Sequence, residues 1–202
     1  MAKKSSIIKD ALALFLITLV AGLALGFVYE VTAPVIQERK DAAKREAYAA
    51  VFADANFVES DAIKTALEDE NFLANSGTEG ITINEAFVAQ DSSGNDAGFV
   101  LSVTTSKGFG GPITMSIGVD NDGNVTGMEM LTIAETPGFG MKATEEEFQQ
   151  QYINRGAETF EVVKENAGDG QINAISGATI TSNAVTNAVN AALYFARTVG
   201  GK

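Results

Sequence analysis

The motif Ser176-Gly177-Ala178-Thr179 places a hydroxyl directly after two residues that have almost no side chain. The alanine- and valine-rich pattern of residues 183–197 predicts a helix, so Thr179 would lie just before a helix N-terminus. Four backbone N–H groups at such an end lack intrahelical partners, and the helix macrodipole adds partial positive charge. A phosphate attached at Thr179 would therefore meet hydrogen-bond donors, and the small residues before it would let a bulky group approach. Small residues ahead of a Thr or Ser N-cap also open many ordinary helices, so the motif alone leaves both interpretations open.

Two glycine-rich loops flank a pair of predicted strands. Residues 106–112 precede one strand and residues 135–142 follow the next, and each loop carries one Phe among glycines. Pro112 and Pro137 restrict the backbone, while glycine permits unusual dihedral angles. If the two strands pair as a hairpin, both loops lie near the same end of the sheet. The loops could then supply the flat apolar walls and close N–H groups that a planar ring needs, or they could be turns whose Phe residues cap the core.

Residues 176–179 resemble the flavinylation motif of the FMN-binding family. This family includes the G subunit of the Rnf electron-transport complex and the C subunit of the sodium-translocating NADH:quinone reductase. Residues 135–142 and the Gly-Pro-Ile sequence at 111–113 also resemble segments of Rnf G subunits. The resemblance extends from the N-terminal apolar segment to the final helix. The sequence departs from the family pattern at Asn173, where the family usually has an aspartate.

The resemblance implies a flavin site that is built from the motif and the second loop. In the family, FMN is joined covalently through its phosphate to the last threonine of the motif, which is Thr179 here. The implied cofactor-binding residues are Ser176, Gly177, Ala178, Thr179, Thr181, Glu135, Thr136, Pro137, Gly138, Phe139, Gly140 and Lys142. Lys107 is a further candidate for contact with the flavin or its phosphate, although surface solubility explains a lysine equally well.

The composition excludes several classes of site. The chain has no cysteine and no histidine, which removes disulfides, Cys/His zinc sites, Cys-ligated iron–sulfur clusters, His-ligated haem and Ser-His-Asp catalysis. Any redox chemistry must therefore come from an organic cofactor, because no remaining side chain is a good electron carrier. The net charge of −12 argues against nucleic-acid binding, because the phosphate backbone would be repelled.

An apolar segment near the N-terminus predicts a transmembrane helix at residues 11–32, since a bilayer core takes about 20 such residues. A cleaved signal peptide is the alternative. The length of the run, and Pro34 directly after the only small-residue site at Ala33, favour a retained anchor. Basic residues lie on both sides of the span, so charge does not decide its orientation. The resemblance implies a cell (inner) membrane protein with residues 1–10 in the cytoplasm and the FMN domain outside.

Beyond the anchor, the sequence predicts an α+β fold in which helices flank an antiparallel sheet. Residues 33–53 predict a linker helix with Pro34 in its first turn, and residues 54–202 form the predicted extracytoplasmic FMN-binding domain. The spacing of the strand-like runs is too close for βαβ crossovers, which favours antiparallel pairing. These runs are residues 82–89, 98–104, 113–119 and 125–131, with a hairpin turn at 120–123.

Two helices are predicted in the second half of the chain. Thr144 and Glu147 have the spacing of a capping box, which predicts a helix from Thr144 as N-cap to about Ile153. The final helix runs over residues 183–197. Its predicted buried side consists of Val185, Ala188, Val189, Ala192, Leu193 and Ala196.

The resemblance favours one function over its rivals. It implies an electron-transfer subunit of an ion-translocating ferredoxin:NAD oxidoreductase, which is an enzyme only as part of that complex. Other subunits of the complex would be its partners, and a flavin transferase would act on it during maturation. A stand-alone membrane-anchored FMN carrier and a quinone-reductase C-type subunit are alternatives that keep the flavin. A non-redox binding or scaffolding domain is the alternative without one.

Overall fold

The computed structural model describes residues 2–69 and 71–201. The helices are α1 (Ala2–Val51), α2 (Asp61–Glu68), α3 (Glu146–Gln149) and α4 (Thr179–Gly200), with 3₁₀ turns at Phe72–Asn75 and Gly140–Thr144. The strands are β1 (Asn56–Val58), β2 (Ile81–Gln90), β3 (Asp96–Thr105), β4 (Ile113–Asp120), β5 (Val125–Thr132), β6 (Glu161–Val163) and β7 (Gln171–Asn173). The predicted α+β class with an N-terminal apolar helix is confirmed.

The chain divides into two compact units, one up to Ala43 and one from Lys44 onward. Within the described residues, one helix is long and apolar enough to cross a membrane, and its candidate segment begins at Ile7. Pro34 lies inside α1 and not at the start of a second helix as predicted. A proline removes only one backbone N–H donor, so the helix can continue through it with the hydrogen bonds of the residues on both sides. Thr32 adds a bond from its hydroxyl to the Val28 carbonyl in the same region.

A five-stranded sheet in the order β1-β2-β3-β4-β5 forms the centre of the second unit. Every neighbouring pair is antiparallel, as the close spacing of the strands predicts. The predicted hairpin turn is present: the Gly123 N–H donates to the Asp120 carbonyl, and Gly123 has a φ of +84°. The small parallel pair β6–β7 and the short strand β1 are not predicted, because three residues each are too few for a periodic signal.

The two faces of the sheet are covered differently because side chains alternate along each strand. Leu101 and Val103 of β3 belong to the large core cluster, which also contains the predicted buried side of α4. Val100 of the same strand packs in a smaller cluster with Tyr48 and Val51 from the end of α1. Helix α4 therefore covers one face, and residues 44–51 cover part of the other.

Side-chain hydrogen bonds fix the end of α1 on the sheet. The Thr126 hydroxyl donates to the Val51 carbonyl at 2.6 Å, which satisfies one of the free carbonyls at the helix end. Lys44 Nζ lies 2.6 Å from Glu85 Oε1, and the Tyr48 hydroxyl donates to Glu85 Oε2 at 2.9 Å. The hydrogen bond from Lys44 lowers the pKa of Glu85 below its usual value, while burial and the neighbouring Glu85 raise the pKa of Tyr48.

The predicted capping box at Thr144 is wrong. The N-cap of α3 is Glu145, and the Thr144 hydroxyl donates instead to the Met141 carbonyl within the preceding 3₁₀ turn. Helix α3 has four residues and does not reach Ile153. The chain leaves the helix because the Asn154 N–H donates to the Val125 carbonyl at 2.8 Å, which adds a bridge to the edge of β5.

The final helix begins at Thr179, four residues earlier than predicted. The Ser182 N–H donates to the Ala178 carbonyl at 3.0 Å, which is the first turn of the helix. The β-branched residues between them weaken the helical signal in the sequence. The first N–H groups of any helix need no intrahelical acceptor, so such residues are tolerated there. The motif threonine is therefore the first helical residue, with Ala178 as N-cap.

The Glu85→Gln substitution tests the contact between α1 and the sheet. Because the folded-state pKa of Glu85 lies below 4.5, its ion pair stabilises the fold above that pH. This stability is lost as the pH falls through the folded-state pKa. Near neutral pH we expect the free energy of unfolding to fall by up to about 1 kcal/mol, since the pair is partly exposed. Chemical denaturation in detergent at several pH values measures the difference.

The matched control is Glu129→Gln, because Glu129 is an exposed sheet carboxylate with no ion pair to any residue in 2–69 or 71–201. Its unfolding free energy should stay close to that of the wild type at every pH. If the difference in unfolding free energy between Glu85→Gln and the wild type does not shrink at low pH, the ion pair is not the source of this stability.

Candidate functional site

The register of β4 and β5 brings the two predicted loops together. Thr114 near the start of β4 pairs with Thr132 at the end of β5. The loop before β4 and the loop after β5 therefore lie at the same end of the sheet, as the hairpin prediction requires. Both loops are glycine-rich, and one of them is tied to the other by a side chain.

Glu135 ties the second loop to the first. Its side chain is buried, with 6% of the residue exposed. Its Oε1 accepts the Phe109 N–H at 2.7 Å and the Gly110 N–H at 3.2 Å. Hydrogen bonds from backbone N–H groups to a carboxylate are strong, and a buried carboxylate without them would be costly. Glu135 therefore holds the backbone of the first loop beside its own.

A β-turn follows Glu135 directly. The Phe139 N–H donates to the Thr136 carbonyl at 3.1 Å, and Gly138 has a φ of +77°. Proline in the second position and a glycine of positive φ in the third are the signature of a type II turn. Thr136 also accepts the Met141 N–H at 3.2 Å, which leads the chain into the 3₁₀ turn. Phe139 is the last residue of this turn.

The motif itself is a second turn of the same kind. The Ala178 N–H donates to the Ile175 carbonyl at 2.9 Å, and Gly177 in the third position has a φ of +76°. The buried Ser182 side chain closes this turn onto α4. Its hydroxyl oxygen accepts the Ile175 N–H at 2.9 Å and donates to the Ala178 carbonyl at 3.0 Å. The glycine of the motif is thus set by backbone conformation.

The two turns contact each other through Phe139 and Gly177. A Cβ atom added to Gly177 would lie 2.8 Å from one carbon of the Phe139 ring and 3.0 Å from another. Real Cβ atoms essentially never approach a neighbour as closely as the first of these distances. Gly177 is therefore required twice, by its positive φ and by the ring that packs against it.

A cleft of about 490 Å³ lies between the loops and the start of α4, within the range of small-molecule sites. Eight of the predicted site residues line it: Glu135, Thr136, Phe139, Gly140, Gly177, Ala178, Thr179 and Thr181. The cleft also contains Phe109, the Phe of the first glycine-rich loop, and Ile180, which the sequence does not single out for the site.

The other predicted site residues do not line this cleft. Ser176 and Lys142 line a neighbouring hollow of about 350 Å³ on the other side of the motif turn. Pro137 and Gly138 form the second turn without lining either cavity. Lys107 lies outside both, with its ammonium 3.8 Å from Glu79 Oε2.

The apolar residues of the cleft are unusually exposed. Phe109 is 70% exposed, Ile180 55% and Phe139 53%. Among the described residues from Lys44 onward, these are the three most exposed large hydrophobic side chains. The sequence signal for them is an apolar residue between glycines or threonines, which the sequence alone cannot distinguish from a core position. Their convergence on one cleft makes it a candidate site for an apolar or planar ligand.

Two threonines of the motif region differ in access. Thr179 is exposed, so its hydroxyl can be reached from solution. Thr181 is 1% exposed. Ala178 provides no side-chain cap, and the backbone N–H groups of residues 179–181 have no acceptor in residues 2–69 or 71–201. An anion on Thr179 would therefore meet free donors and the positive end of the α4 macrodipole.

Asn173, which stands in place of the usual aspartate of the resembled motif, has a structural partner. Its Oδ1 accepts the Ala167 N–H at 3.0 Å, and its backbone N–H donates to Gln151 Oε1 at 2.7 Å. An aspartate could accept the same bond from Ala167, because both side chains present an oxygen at that position. The amide thus keeps the hydrogen bond that orders the chain before the motif.

Two protein families match this sequence. The family described as FMN-binding domain matches residues 108–194, and the family described as RnfG N-terminal region matches residues 1–51. The first match contains most of the first loop, the whole second loop and the whole motif turn.

Named relatives align with different parts of the chain. The G subunit of the Na(+)-translocating ferredoxin:NAD(+) oxidoreductase complex of Acetobacterium woodii is 32% identical over 188 residues, which covers 91% of this chain and 88% of the relative. The G subunit of the proton-translocating ferredoxin:NAD(+) oxidoreductase complex of Clostridium ljungdahlii is 40% identical over 98 residues. This chain spans about half of the Clostridium relative, with 48% of this chain and 53% of the relative covered.

A solved structure is also similar. It is the C subunit of the Na(+)-translocating NADH-quinone reductase of Parabacteroides distasonis, with 26% sequence identity and a TM-score of 0.48. The match covers 58% of this chain and 62% of that one.

The Gly177→Ala substitution tests the contact between the two turns. A left-handed conformation costs a non-glycine residue about 1–2 kcal/mol. The new Cβ would also lie 2.8 Å from the Phe139 ring. We therefore expect the free energy of unfolding to fall by more than the conformational cost alone. Chemical denaturation of the two proteins in detergent measures this loss.

Gly138→Ala is the matched control, because Gly138 has nearly the same φ (+77° against +76°) but nothing within 4 Å of an added Cβ. Its free energy of unfolding should fall by the conformational cost alone, without the steric cost. In a Phe139→Ala background the excess loss of Gly177→Ala should disappear. Equal losses for the two glycines in the wild-type background would show that the ring contact does not constrain position 177.

Proposed function

This chain belongs to the family of Rnf G subunits of ion-translocating oxidoreductase complexes, and from that premise we propose that it transfers electrons through a covalently attached FMN. The bond would be a phosphoester between the Thr179 hydroxyl oxygen and the FMN phosphate. A flavin transferase would form it during maturation. The complex would be a membrane-bound, ion-translocating ferredoxin:NAD oxidoreductase; the names of the relatives describe their own complexes as ion-translocating ferredoxin:NAD(+) oxidoreductases.

The observation that carries the proposal is the convergence of an exposed threonine with three exposed apolar side chains in one cleft. An isoalloxazine ring is flat and largely apolar, so Phe109, Phe139 and Ile180 offer it suitable walls. The reachable hydroxyl and the free N–H groups at the start of α4 offer its phosphate an attachment point and donors. These features support FMN over a wholly apolar ligand.

The fit to FMN also accounts for the glycines of the site. A Cβ on Gly140 would lie 2.6 Å from Glu135 Oε2 and 2.7 Å from the Thr181 hydroxyl oxygen, so any larger residue would displace two side chains that line the cleft. Ser176 and Lys142, which line the hollow on the other side of the motif turn, are proposed to contact the phosphate side of the cofactor. Pro137 and Gly138 would act by shaping the turn that carries Phe139.

The bound flavin would supply the redox chemistry, and the chain would hold and orient it. We propose that the apolar segment beginning at Ile7 anchors the chain among the other subunits of the complex. In this proposal the N-terminus is cytoplasmic and the FMN domain extracytoplasmic. A carrier on that side cannot be reloaded from cytoplasmic FMN, which gives covalent attachment a physical reason.

Thr179→Val tests the attachment. Valine keeps the shape of threonine but lacks the hydroxyl, so we expect co-expression with a bacterial flavin transferase to leave the variant without FMN. Intact mass and in-gel flavin fluorescence after denaturing electrophoresis measure this, because only a covalently held flavin stays on the band. The wild type should carry one FMN.

Two variants control for other effects of the substitution. Thr179→Ser keeps a hydroxyl and should still take up FMN. Thr198→Val removes an exposed hydroxyl of the same helix that lies outside the cleft, and this variant should also still be loaded. A wild-type protein that stays unmodified, or a flavin that remains on Thr179→Val, would refute the attachment at this residue.

A further inference from the structure

The bottom of the cleft contains two polar atoms that the fold itself does not use. Thr181 is 1% exposed and lines the cleft, but its hydroxyl makes no hydrogen bond to any group in residues 2–69 or 71–201. Glu135 is 6% exposed; its Oε1 accepts two backbone N–H groups, while its Oε2 accepts none from the same part of the chain. Neither oxygen is fully buried, since among the described residues the fully buried side-chain polar atom without a partner is Ser116 Oγ, so both oxygens are accessible from the cleft.

The two atoms converge on one point. A Cβ built on Gly140 would lie 2.6 Å from Glu135 Oε2 and 2.7 Å from the Thr181 hydroxyl oxygen. The absence of a side chain at Gly140 lets both oxygens pack directly against its backbone, because an added Cβ would overlap them. A carboxylate oxygen accepts hydrogen bonds, and a hydroxyl can both donate and accept. Together they match a ligand edge that presents an N–H next to a carbonyl.

Thr181 does not face the same way as Thr179. Residues two apart on a helix do not lie side by side, and these two are the first and third residues of α4. A phosphate on Thr179 is therefore not the natural partner of the Thr181 hydroxyl. The walls of the cleft near its opening are the exposed rings of Phe109 and Phe139, which offer no hydrogen bonds to a heteroatom edge.

We propose that Thr181 and Glu135 bind the pyrimidine edge of the flavin, so that this edge lies against Gly140 and the dimethylbenzene edge points out between the apolar side chains. The imide N–H would donate to Glu135 Oε2, and the Thr181 hydroxyl would bond an adjacent carbonyl. This inference rests on the proposed FMN function and adds the orientation of the ring. It assigns the outward edge to electron exchange with a partner.

Thr181→Val tests the inference through the sign of its effect on stability. Valine removes a hydroxyl that has no partner in the protein, so without FMN we expect the melting temperature to stay constant or rise slightly. With FMN attached, the variant loses a bond to the cofactor and leaves a flavin carbonyl unpaired, so its melting temperature should fall by about 2–4 °C. Thermal unfolding of the full chain in detergent, made with and without the flavin transferase, measures both forms.

Two matched controls separate this effect from a general role in packing. Thr186 is 2% exposed, but its hydroxyl donates to the Ser182 carbonyl and accepts from Tyr152. Thr186→Val should therefore lower the melting temperature of both forms. The Ser116 hydroxyl is buried without a partner among the described residues and lies outside the cleft, so Ser116→Ala should shift both forms in the same direction.

Glu135→Gln gives a second readout. The amide oxygen can still accept the Phe109 and Gly110 N–H groups, while the negative charge is lost. A fixed negative charge beside the pyrimidine edge opposes electron addition to the ring, so its loss should raise the midpoint potential of the attached FMN. Spectroelectrochemical titration of the loaded protein measures the potential.

The outcomes distinguish a failure of the proposed function from a failure of the ring orientation. A wild-type chain that takes up no FMN overturns the proposed function and this inference with it. If the wild type is loaded but Thr181→Val changes the melting temperatures of the FMN-free and FMN-loaded forms equally, the ring orientation alone is overturned. An unchanged midpoint potential in Glu135→Gln would overturn it as well. A melting temperature that falls only in the FMN-loaded form of Thr181→Val, together with a raised midpoint potential in Glu135→Gln, supports the orientation.

Discussion

The buried Glu135 carboxylate accepts hydrogen bonds from the Phe109 and Gly110 amides, which lie 26 and 25 residues before it in the sequence. These bonds hold the two glycine-rich loops together. A carboxylate this deeply buried must have donors, and the backbone N–H groups of the first loop supply them. The first loop is thereby fixed beside the second, with Phe109 at the cleft opening and Gly140 at its bottom. The volume between them depends on these bonds.

The other wall of the cleft depends on a different constraint, the positive φ of two glycines. Gly138 and Gly177 each occupy the third position of a type II turn, and the turns meet where the Phe139 ring covers Gly177. Ser182 then closes the motif turn onto α4, so that Thr179 becomes the first helical residue and stays exposed. The closed turn thus presents an exposed hydroxyl at the start of α4, beside the apolar wall that Phe139 forms.

These constraints suit a protein that carries a cofactor and has no need of acid–base side chains. The chain lacks histidine and cysteine, and its cleft combines exposed apolar walls with two polar atoms left without partners in the described fold. An empty cleft leaves these apolar walls in contact with water, which is unfavourable. In the proposed function this cost is offset by the flavin, and the covalent bond keeps the flavin there.

The sequence by itself determined the features that short-range physics controls. Period-two alternation gave the four long strands, Asp-Gly marked the hairpin turn, and the apolar run gave the long N-terminal helix. The resemblance to the FMN-binding family identified the motif and most of the residues that line the cleft. Only the tertiary structure decided that α4 starts at Thr179, that Thr144 caps no helix, that Phe109 lines the cleft and does not cap the core, and that Ile180 joins it. The reason is that these outcomes depend on strand register and on partners distant in sequence, such as Glu135 for the Phe109 amide, and local preferences do not encode those partners.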